Sequence, residues 1–181
     1  MSDFVLGTAQ FGQKYGITNK SKKFNDVKNL ELIIEKCFEN NIRSIDTAKS
    51  YGKSEEMLGK IDLVKKFKVN TKLVLDVHNE NVNSTIRRNI ENSLSKLQIE
   101  KINILFMHNQ ISDKNFLDKI LKVIDELKSE NLLSHFGMSV YDLNEILDID
   151  QVEAYQVPAN YLDRRFFNLF NSNNDRVFQA R

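Results

Sequence analysis

The sequence predicts an α/β protein of the (β/α)8-barrel type (TIM-barrel architecture) that is incomplete, with about seven strands and the last βα unit missing. Two observations carry this prediction. Short apolar runs rich in β-forming residues alternate with longer segments of helical periodicity, which is the pattern of successive βα units. Polar residues able to do chemistry also recur where strand after strand ends, as expected when loops converge at a barrel mouth.

The apolar runs predict strands at residues 3–8, 43–47, 67–74, 102–107, 134–139, 153–158 and 176–180. The segments between them predict helices at about 25–41, 54–60, 84–98, 113–131 and 141–148. The first helix has an apolar face at helical spacing, formed by Leu30, Ile33, Ile34, Cys37 and Phe38. Ser84 and Thr85 are expected to start the third helix, and Asp113 to cap the fourth.

An open doubly wound sheet is the other fold that alternates strands and helices in this way. Such a sheet carries a glycine-rich phosphate turn, G-x-G-x-x-G, after its first strand. Residues 7–12 of this chain read GTAQFG, which does not match that turn. The barrel is therefore favoured, although barrels of this type rarely have fewer than about 200 residues.

Composition indicates a single domain over residues 1–181, in a cytoplasmic protein. The 26 basic and 25 acidic residues nearly cancel, so no global field attracts nucleic acid or a membrane surface. A single cysteine cannot form an intrachain disulfide, which fits a reducing compartment. No cluster of His, Cys and carboxylates has metal-ligand spacing, so no metal site is predicted.

Four polar residues near the ends of neighbouring strands form the candidate site. Asp46 lies at the carboxyl end of the second strand, with Tyr51 in the following loop, and Lys72 and His108 lie at the carboxyl ends of the third and fourth strands. A tyrosine is a poor acid near neutrality, with a pKa of about 10, but a nearby ammonium favours its phenolate. A carboxylate can hold that ammonium, and a neutral imidazole can orient a substrate oxygen. These four residues are suited to act on a substrate oxygen that gains negative charge, as a carbonyl oxygen does when the carbonyl carbon accepts hydride.

At these residues the sequence resembles the aldo-keto reductase family. Residues 45–59, IDTAKSYGKSEEMLG, closely resemble the family signature. Other matching pieces follow in the family's order, namely LGTAQFG at 6–12, TK at 71–72, SLSKL at 93–97, LFMH at 105–108, FGMS at 136–139 and QVPANYLDRR at 156–165. The resemblance covers essentially the whole chain.

The resemblance implies a reductase of aldehydes or ketones that uses NADPH, with NADH as the alternative cofactor. Asp46, Tyr51, Lys72 and His108 would be the catalytic tetrad, with Tyr51 as the general acid. Ser139 and Gln156 would hold the nicotinamide amide, and Thr8 would lie where the first strand meets the cofactor.

The chain departs from the family pattern at three places. Val140 stands where an asparagine usually follows the serine of the fifth strand, and Ala159 where a tyrosine is common. The sequence also ends at Arg181, where the family's phosphate-binding unit would follow. We therefore expect a C-terminally incomplete member.

Two alternatives remain open at this stage. An inactive fragment or interaction protein would expose unpaired barrel edges and could self-associate through them. A non-redox barrel enzyme such as a lyase would have the same fold but no use for the tyrosine–lysine pair.

Overall fold

The computed structural model describes residues 4–13, 15–16, 26–76, 81–109, 111, 113–147, 149–171 and 175–181. Its strands are β1 (Val5–Gly7), β2 (Ser44–Asp46), β3 (Lys68–Leu73), β4 (Ile102–Met107), β5 (Leu133–Ser139), β6 (Ala154–Val157) and β7 (Val177–Ala180). Its α-helices are α1 (Val27–Glu39), α2 (Ser54–Leu58), α3 (Val82–Leu97), α4 (Lys114–Ser129) and α5 (Phe167–Asn171). Short 3₁₀ helices span Asp62–Lys66 and Leu143–Glu145.

The strands form one sheet whose spatial order, β1-β2-β3-β4-β5-β6-β7, follows the chain. Pairing is parallel between β1 and β2, β2 and β3, β5 and β6, and β6 and β7. Sequential parallel strands with helices between them are the pattern of a (β/α)8 barrel. The predicted fold class, with seven strands in the described part of the chain, is thereby confirmed.

Helices α1 and α4 begin at acidic caps that their sequences provide. The side chain of Asp26 accepts a hydrogen bond from the backbone N–H of Lys28 at the start of α1. The side chain of Asp113 accepts from Asn115 and Phe116 at the start of α4, as predicted. Each cap satisfies N–H groups that have no partner within their helix.

The predicted helix at 141–148 is wrong, because the chain there forms only the 3₁₀ helix Leu143–Glu145. Asp142 caps this turn through the backbone N–H of Asn144, at 2.9 Å. The turn ends at Ile146, whose φ of −73° and ψ of 116° are extended. The spacing of the apolar residues in this segment is therefore compatible with a single 3₁₀ turn as well as with the predicted α-helix.

Other helix boundaries also differ from the prediction. Helix α3 begins at Val82 rather than at Ser84, so Ser84 lies inside its first turn. Neither α5 nor the 3₁₀ helix at Asp62–Lys66 was predicted. Each has five residues, which is too short for a helical period to show in sequence.

Residues of the chain group into two compact units. The first comprises Met1–Lys72 and Arg88–Asn103. Its core is built of apolar side chains from α1, α2, the end of α3, the 3₁₀ helix at Asp62–Lys66, β2, β3 and the segments that connect them, namely Phe11, Leu30, Ile34, Ile45, Met57, Leu58, Ile61, Val64, Phe67, Val69 and Leu97. The expectation of one domain over residues 1–181 stays a prediction.

The second unit comprises Leu73–Arg87 and Ile104–Arg181. Ile104, Phe106 and Ala154 form a buried cluster within it. Gly137 allows the close packing there, because a Cβ at this position would lie 2.5 Å from the Ala154 carbonyl oxygen. Of the helices in the described ranges, none combines the length and apolar character needed to cross a membrane.

Candidate active site

A buried ion pair lies at the ends of β2 and β3 in the first unit. The Lys72 ammonium contacts Asp46 Oδ2 and donates a hydrogen bond to the Thr47 carbonyl oxygen at 3.0 Å. Only 2% of Lys72 and 8% of Asp46 is exposed, so water barely screens the pair. Parallel pairing of β2 with β3 brings the two side chains together, as the sequence predicted.

Tyr51 lies beside this pair, in the loop between β2 and α2. The Lys72 Nζ atom is 5.1 Å from the centre of the Tyr51 ring. The loop is held by a hydrogen bond from the Tyr51 N–H to the Ala48 carbonyl, at 3.0 Å, and by Gly52 at a φ of +57°. Glycine adopts this left-handed conformation without steric cost. The structure thus brings together three of the four predicted catalytic residues.

A network of three fully buried hydroxyls lies next to the ion pair. The Thr8 hydroxyl donates to the Asp46 carbonyl oxygen at 3.0 Å, and the Thr8 backbone N–H donates to the same oxygen. Ser54 Oγ lies 2.9 Å from Thr8 Oγ1 and 3.0 Å from Thr47 Oγ1. The network fixes the backbone of Asp46 and Thr47, the two residues that hold the Lys72 ammonium.

Sequence reasoning missed Ser54 and its neighbour Glu55. Glu55, only 4% exposed, accepts a hydrogen bond from Thr71 Oγ1 at 2.8 Å and so ties α2 to β3 beside Lys72. Both residues lie in the 45–59 motif, and their place in that motif was the sequence signal by which they could have been found. Serine and glutamate at a helix start are typical caps, so their sequence alone does not indicate burial.

The second unit holds the other three predicted residues. His108 follows β4 directly, and its backbone N–H donates to the Leu73 carbonyl oxygen at 2.9 Å. Ser139 and Gln156 face each other in the parallel register of β5 and β6. Ser139 is 5% exposed and Gln156 is 1% exposed, so both amide-binding candidates are buried.

The Ser139 hydroxyl is suited to an additional ligand group. Its Oγ atom is buried, and no residue in the described ranges forms a hydrogen bond with it. A buried hydroxyl without a partner is costly, and a ligand amide would satisfy it. Ser139 therefore fits the carboxamide of a nicotinamide ring, although Val140 supplies no second amide contact.

Within the part of the chain that the structure describes, no group of three or more His, Cys, Asp or Glu residues is placed to hold a metal ion.

A family model, that of the aldo/keto reductase family, matches residues 3–175. The chain belongs to the aldo-keto reductase family. The predicted resemblance is thereby confirmed over nearly the whole chain.

Solved aldo-keto reductase structures share the fold. A protein from Pseudomonas aeruginosa assigned to the aldo-keto reductases is 22% identical, with a TM-score of 0.80 over 97% of this chain and 71% of that one. The aldo-keto reductase from Klebsiella pneumoniae, solved in complex with NADPH, is 19% identical, with a TM-score of 0.74 over 97% of this chain and 62% of that one.

A curated relative, the oxidoreductase sirO of Leptosphaeria maculans, is 24% identical over 162 residues. The match covers 87% of this aldo-keto reductase chain and 47% of the Leptosphaeria protein. The chain thus spans about half the length of that relative.

Proposed function

We propose that this chain carries the catalytic centre of an NAD(P)H-dependent oxidoreductase that reduces an aldehyde or ketone to an alcohol. The observation that carries the proposal is the position of the Lys72 ammonium. It is buried, held by Asp46, and 5.1 Å from the centre of the Tyr51 ring. A buried ammonium beside a phenol lowers the free energy of the phenolate, which makes the phenol a stronger acid.

Tyr51 is the general acid in this proposal. A bound nicotinamide cofactor would supply the hydride for the carbonyl carbon. The carbonyl oxygen then gains negative charge and takes the proton of the Tyr51 hydroxyl, which leaves an alcohol and a phenolate. Lys72 stabilises that phenolate, Asp46 keeps the ammonium in place, and water later returns the proton to Tyr51.

Three further roles complete the proposal. The family resemblance assigns His108 to orient the substrate carbonyl through a hydrogen bond. Ser139 and Gln156 would hold the carboxamide of the cofactor, which the buried, unpartnered Ser139 hydroxyl favours. Thr8 is proposed to border the cofactor at the end of β1. NADPH is the proposed cofactor, with NADH as the alternative.

The second candidate function is an aldo-keto reductase-like chain without turnover of its own. It is the alternative that the sequence left open, and the chain spans 47% of the Leptosphaeria relative and 62% of the Klebsiella structure. In that case β1 and β7, the outermost strands of the described sheet, are also the places where self-association is expected. Solution scattering over a concentration series tests this expectation, which stays a prediction.

The test of the reductase proposal is NADPH oxidation in the presence of a panel of aldehydes and ketones. The purified chain and its Tyr51→Phe variant are compared at 340 nm. Tyr51→Phe removes only the acidic hydroxyl, and general acid catalysis contributes about 10²–10⁴ in rate. Turnover that falls by this factor in the variant supports the proposal.

Tyr161→Phe is the matched control, because Tyr161 is 81% exposed and lies outside the cluster. Its turnover should equal that of the unmodified chain. Undiminished turnover in Tyr51→Phe would reject Tyr51 as the acid. A folded chain that oxidises no NADPH with any carbonyl would favour the second candidate.

A further inference from the structure

Three strands of the second unit carry their side chains in matching layers. Parallel pairing sets Ser139 of β5 in register with Gln156 of β6, and Gln156 in register with Gln179 of β7. Residues in register on neighbouring strands point to the same face of a sheet, and so does every second residue along each strand. Ser139, Gln156 and Gln179 therefore form one layer, the polar layer. It contains both residues proposed to hold the nicotinamide carboxamide.

The layer before the polar layer is apolar. It contains Gly137 of β5 and Ala154 of β6, which are in register and lie two residues before Ser139 and Gln156. Ala154 belongs to the buried apolar cluster of the second unit. A ligand of the polar layer is therefore expected on its other side, toward the carboxyl ends of the strands, where barrels of this type bind their ligands.

Arg181 belongs to the next layer in that direction. It lies two residues beyond Gln179, and the parallel ladder continues to it. Its backbone N–H donates to the Val157 carbonyl oxygen at 3.0 Å, and its carbonyl oxygen accepts from the Ala159 N–H at 3.4 Å. The Arg181 side chain therefore lies on the same face as the Gln179 side chain, one layer, or about 7 Å along the strands, beyond the polar layer.

The guanidinium of Arg181 is stacked on the ring of Tyr141, with the guanidinium carbon 4.1 Å from the ring centre. Tyr141 lies two residues beyond Ser139 in the loop that follows β5. The backbone N–H of Val140 still bonds to the Gln156 carbonyl oxygen at 2.9 Å, so the ladder extends into this loop. Cation–π attraction holds the guanidinium over this face. The Tyr141–Arg181 pair therefore lies directly beyond the polar layer.

No carboxylate neutralises this guanidinium in the described part of the chain. Arg165, in the loop after β6, is paired with Asp163 at 2.8 Å, whereas Arg181 forms no ion pair with any described residue. The carboxylates of the loop after β5, Asp142 and Glu145, accept hydrogen bonds from backbone N–H groups. A guanidinium remains charged at every physiological pH. The layer beyond the polar layer therefore carries a fixed positive charge.

We propose that Arg181 makes the cofactor site selective for the reduced form of the nicotinamide cofactor, an inference that rests on the proposed function. The nicotinamide ring is neutral in NADPH and carries one positive charge in NADP⁺. A guanidinium one layer from the residues that hold the carboxamide repels the charged ring and does not repel the neutral one. The oxidised cofactor produced by the reaction therefore binds more weakly than NADPH and inhibits the chain only weakly.

A contact with a cofactor phosphate is the other role open to a guanidinium. NADPH and NADP⁺ carry the same phosphates, so the loss of such a contact weakens both forms by the same factor. Repulsion of the charged ring acts on NADP⁺ alone. The ratio of the two dissociation constants therefore separates the two roles, and neither constant does so alone.

The test measures the Kd of NADPH and the Kd of NADP⁺ for the 181-residue chain and three variants. NADPH is titrated by its fluorescence, and NADP⁺ by its displacement of NADPH. The unmodified chain should bind NADPH about tenfold more tightly than NADP⁺, the order expected for like charges one layer apart near a protein surface. Arg181→Gln should remove most of this preference, and it should fold, since Arg181 is exposed.

Two variants are the controls. Arg181→Lys keeps the positive charge and should keep most of the preference for NADPH. Lys119→Gln removes one positive charge from the exposed face of α4 and should leave the ratio of the two constants unchanged. A preference that follows the charge at position 181 in this way supports the proposal.

Three outcomes overturn this proposal and leave the proposed function intact. They are equal affinities of NADPH and NADP⁺ for the unmodified chain, an unchanged ratio in Arg181→Gln, and an equal loss of affinity for both forms in that variant. The last outcome assigns Arg181 to a phosphate. Absence of binding of either form, in a sample shown to be folded, overturns both proposals, so the two failures are distinguishable.

Discussion

Lys72 points its ammonium at Tyr51, with the Nζ atom 5.1 Å from the ring centre, while Asp46 holds the same ammonium from β2. The three residues come from two strand ends and one loop of the first unit. A lysine this deeply buried is costly unless it is paired, so Asp46 is needed for the fold as well as for the proposed chemistry.

The first prediction concerns the energy of that ion pair. Lys72→Met should lower the free energy of unfolding by about 3–5 kcal/mol, because it leaves the Asp46 carboxylate buried without its counter-ion. In the double variant, which combines Lys72→Met with Asp46→Asn, part of the lost unfolding free energy should be recovered. Urea unfolding of both single variants and the double variant measures the coupling. Strictly additive losses would show that the pair is not coupled.

The second prediction concerns the buried hydroxyl network. Ser54→Ala should cost about 1–3 kcal/mol, because Thr8 and Thr47 lose a buried hydrogen-bond partner. Ser95→Ala, at an exposed position of α3, is the control and should change stability by less than about 0.5 kcal/mol. Thermal and urea unfolding compare the two. Equal effects of the two substitutions would mean that the network contributes nothing to stability.

The third prediction concerns Gly59, the last residue of the 45–59 motif. A Cβ at this position would lie 1.9 Å from the Lys96 carbonyl oxygen, so Gly59→Ala forces α2 away from the end of α3. We expect a loss of at least about 3 kcal/mol in unfolding free energy. Gly7→Ala is the control, since its Cβ meets no atom within 4 Å. A Gly59→Ala variant as stable as the control would contradict this packing.

The fourth prediction is a pH dependence in the second unit. Burial raises the pKa of Glu153, but hydrogen bonds from Lys128, the Phe136 N–H and His135 outweigh it and hold that pKa below its usual value. A lowered pKa in the folded protein means stabilisation that is complete above the unfolded pKa of about 4.3 and is lost as pH falls through the folded pKa. Glu153→Gln should therefore destabilise most at neutral pH.

Urea unfolding at several pH values between neutrality and pH 3 tests this. The difference in unfolding free energy between Glu153→Gln and the unmodified chain should shrink on acidification below about pH 4. Glu31→Gln, on the exposed face of α1, is the control and should show no such trend. A difference that stays constant across the range would contradict the assigned hydrogen bonds.

The sequence predicted the strands and the ion pair well because both depend on local patterns. Asp46 is the last residue of β2 and Lys72 the last but one of β3, and parallel strands bring such ends to one edge of the sheet. The hydroxyl of Ser54 was missed because its partners, Thr8 and Thr47, become neighbours only when β1, β2 and α2 have packed. No local sequence pattern indicates the contact of Ser54 with these two residues.

Short elements escaped prediction for a related reason. Helix α5 is supported by aromatic contacts, with the Phe167 and Phe170 rings 5.6 Å apart and the Phe170 and Phe178 rings 5.8 Å apart. Phe178 lies on β7, so part of this support comes from tertiary structure. The helix predicted at 141–148 is the opposite error, a helix predicted where the structure has only one turn. Its apolar residues have helical spacing, but the backbone becomes extended at Ile146 and the turn ends there.

The central claim is that the chain binds a nicotinamide cofactor, and cofactor titration tests it most directly. NADPH is titrated into the purified 181-residue chain and followed by its fluorescence, with NADH for comparison and Ser139→Val as the variant that lacks the buried hydroxyl. The account predicts saturable binding at micromolar levels that Ser139→Val weakens. Absence of binding up to millimolar cofactor, in a sample shown to be folded, would contradict it.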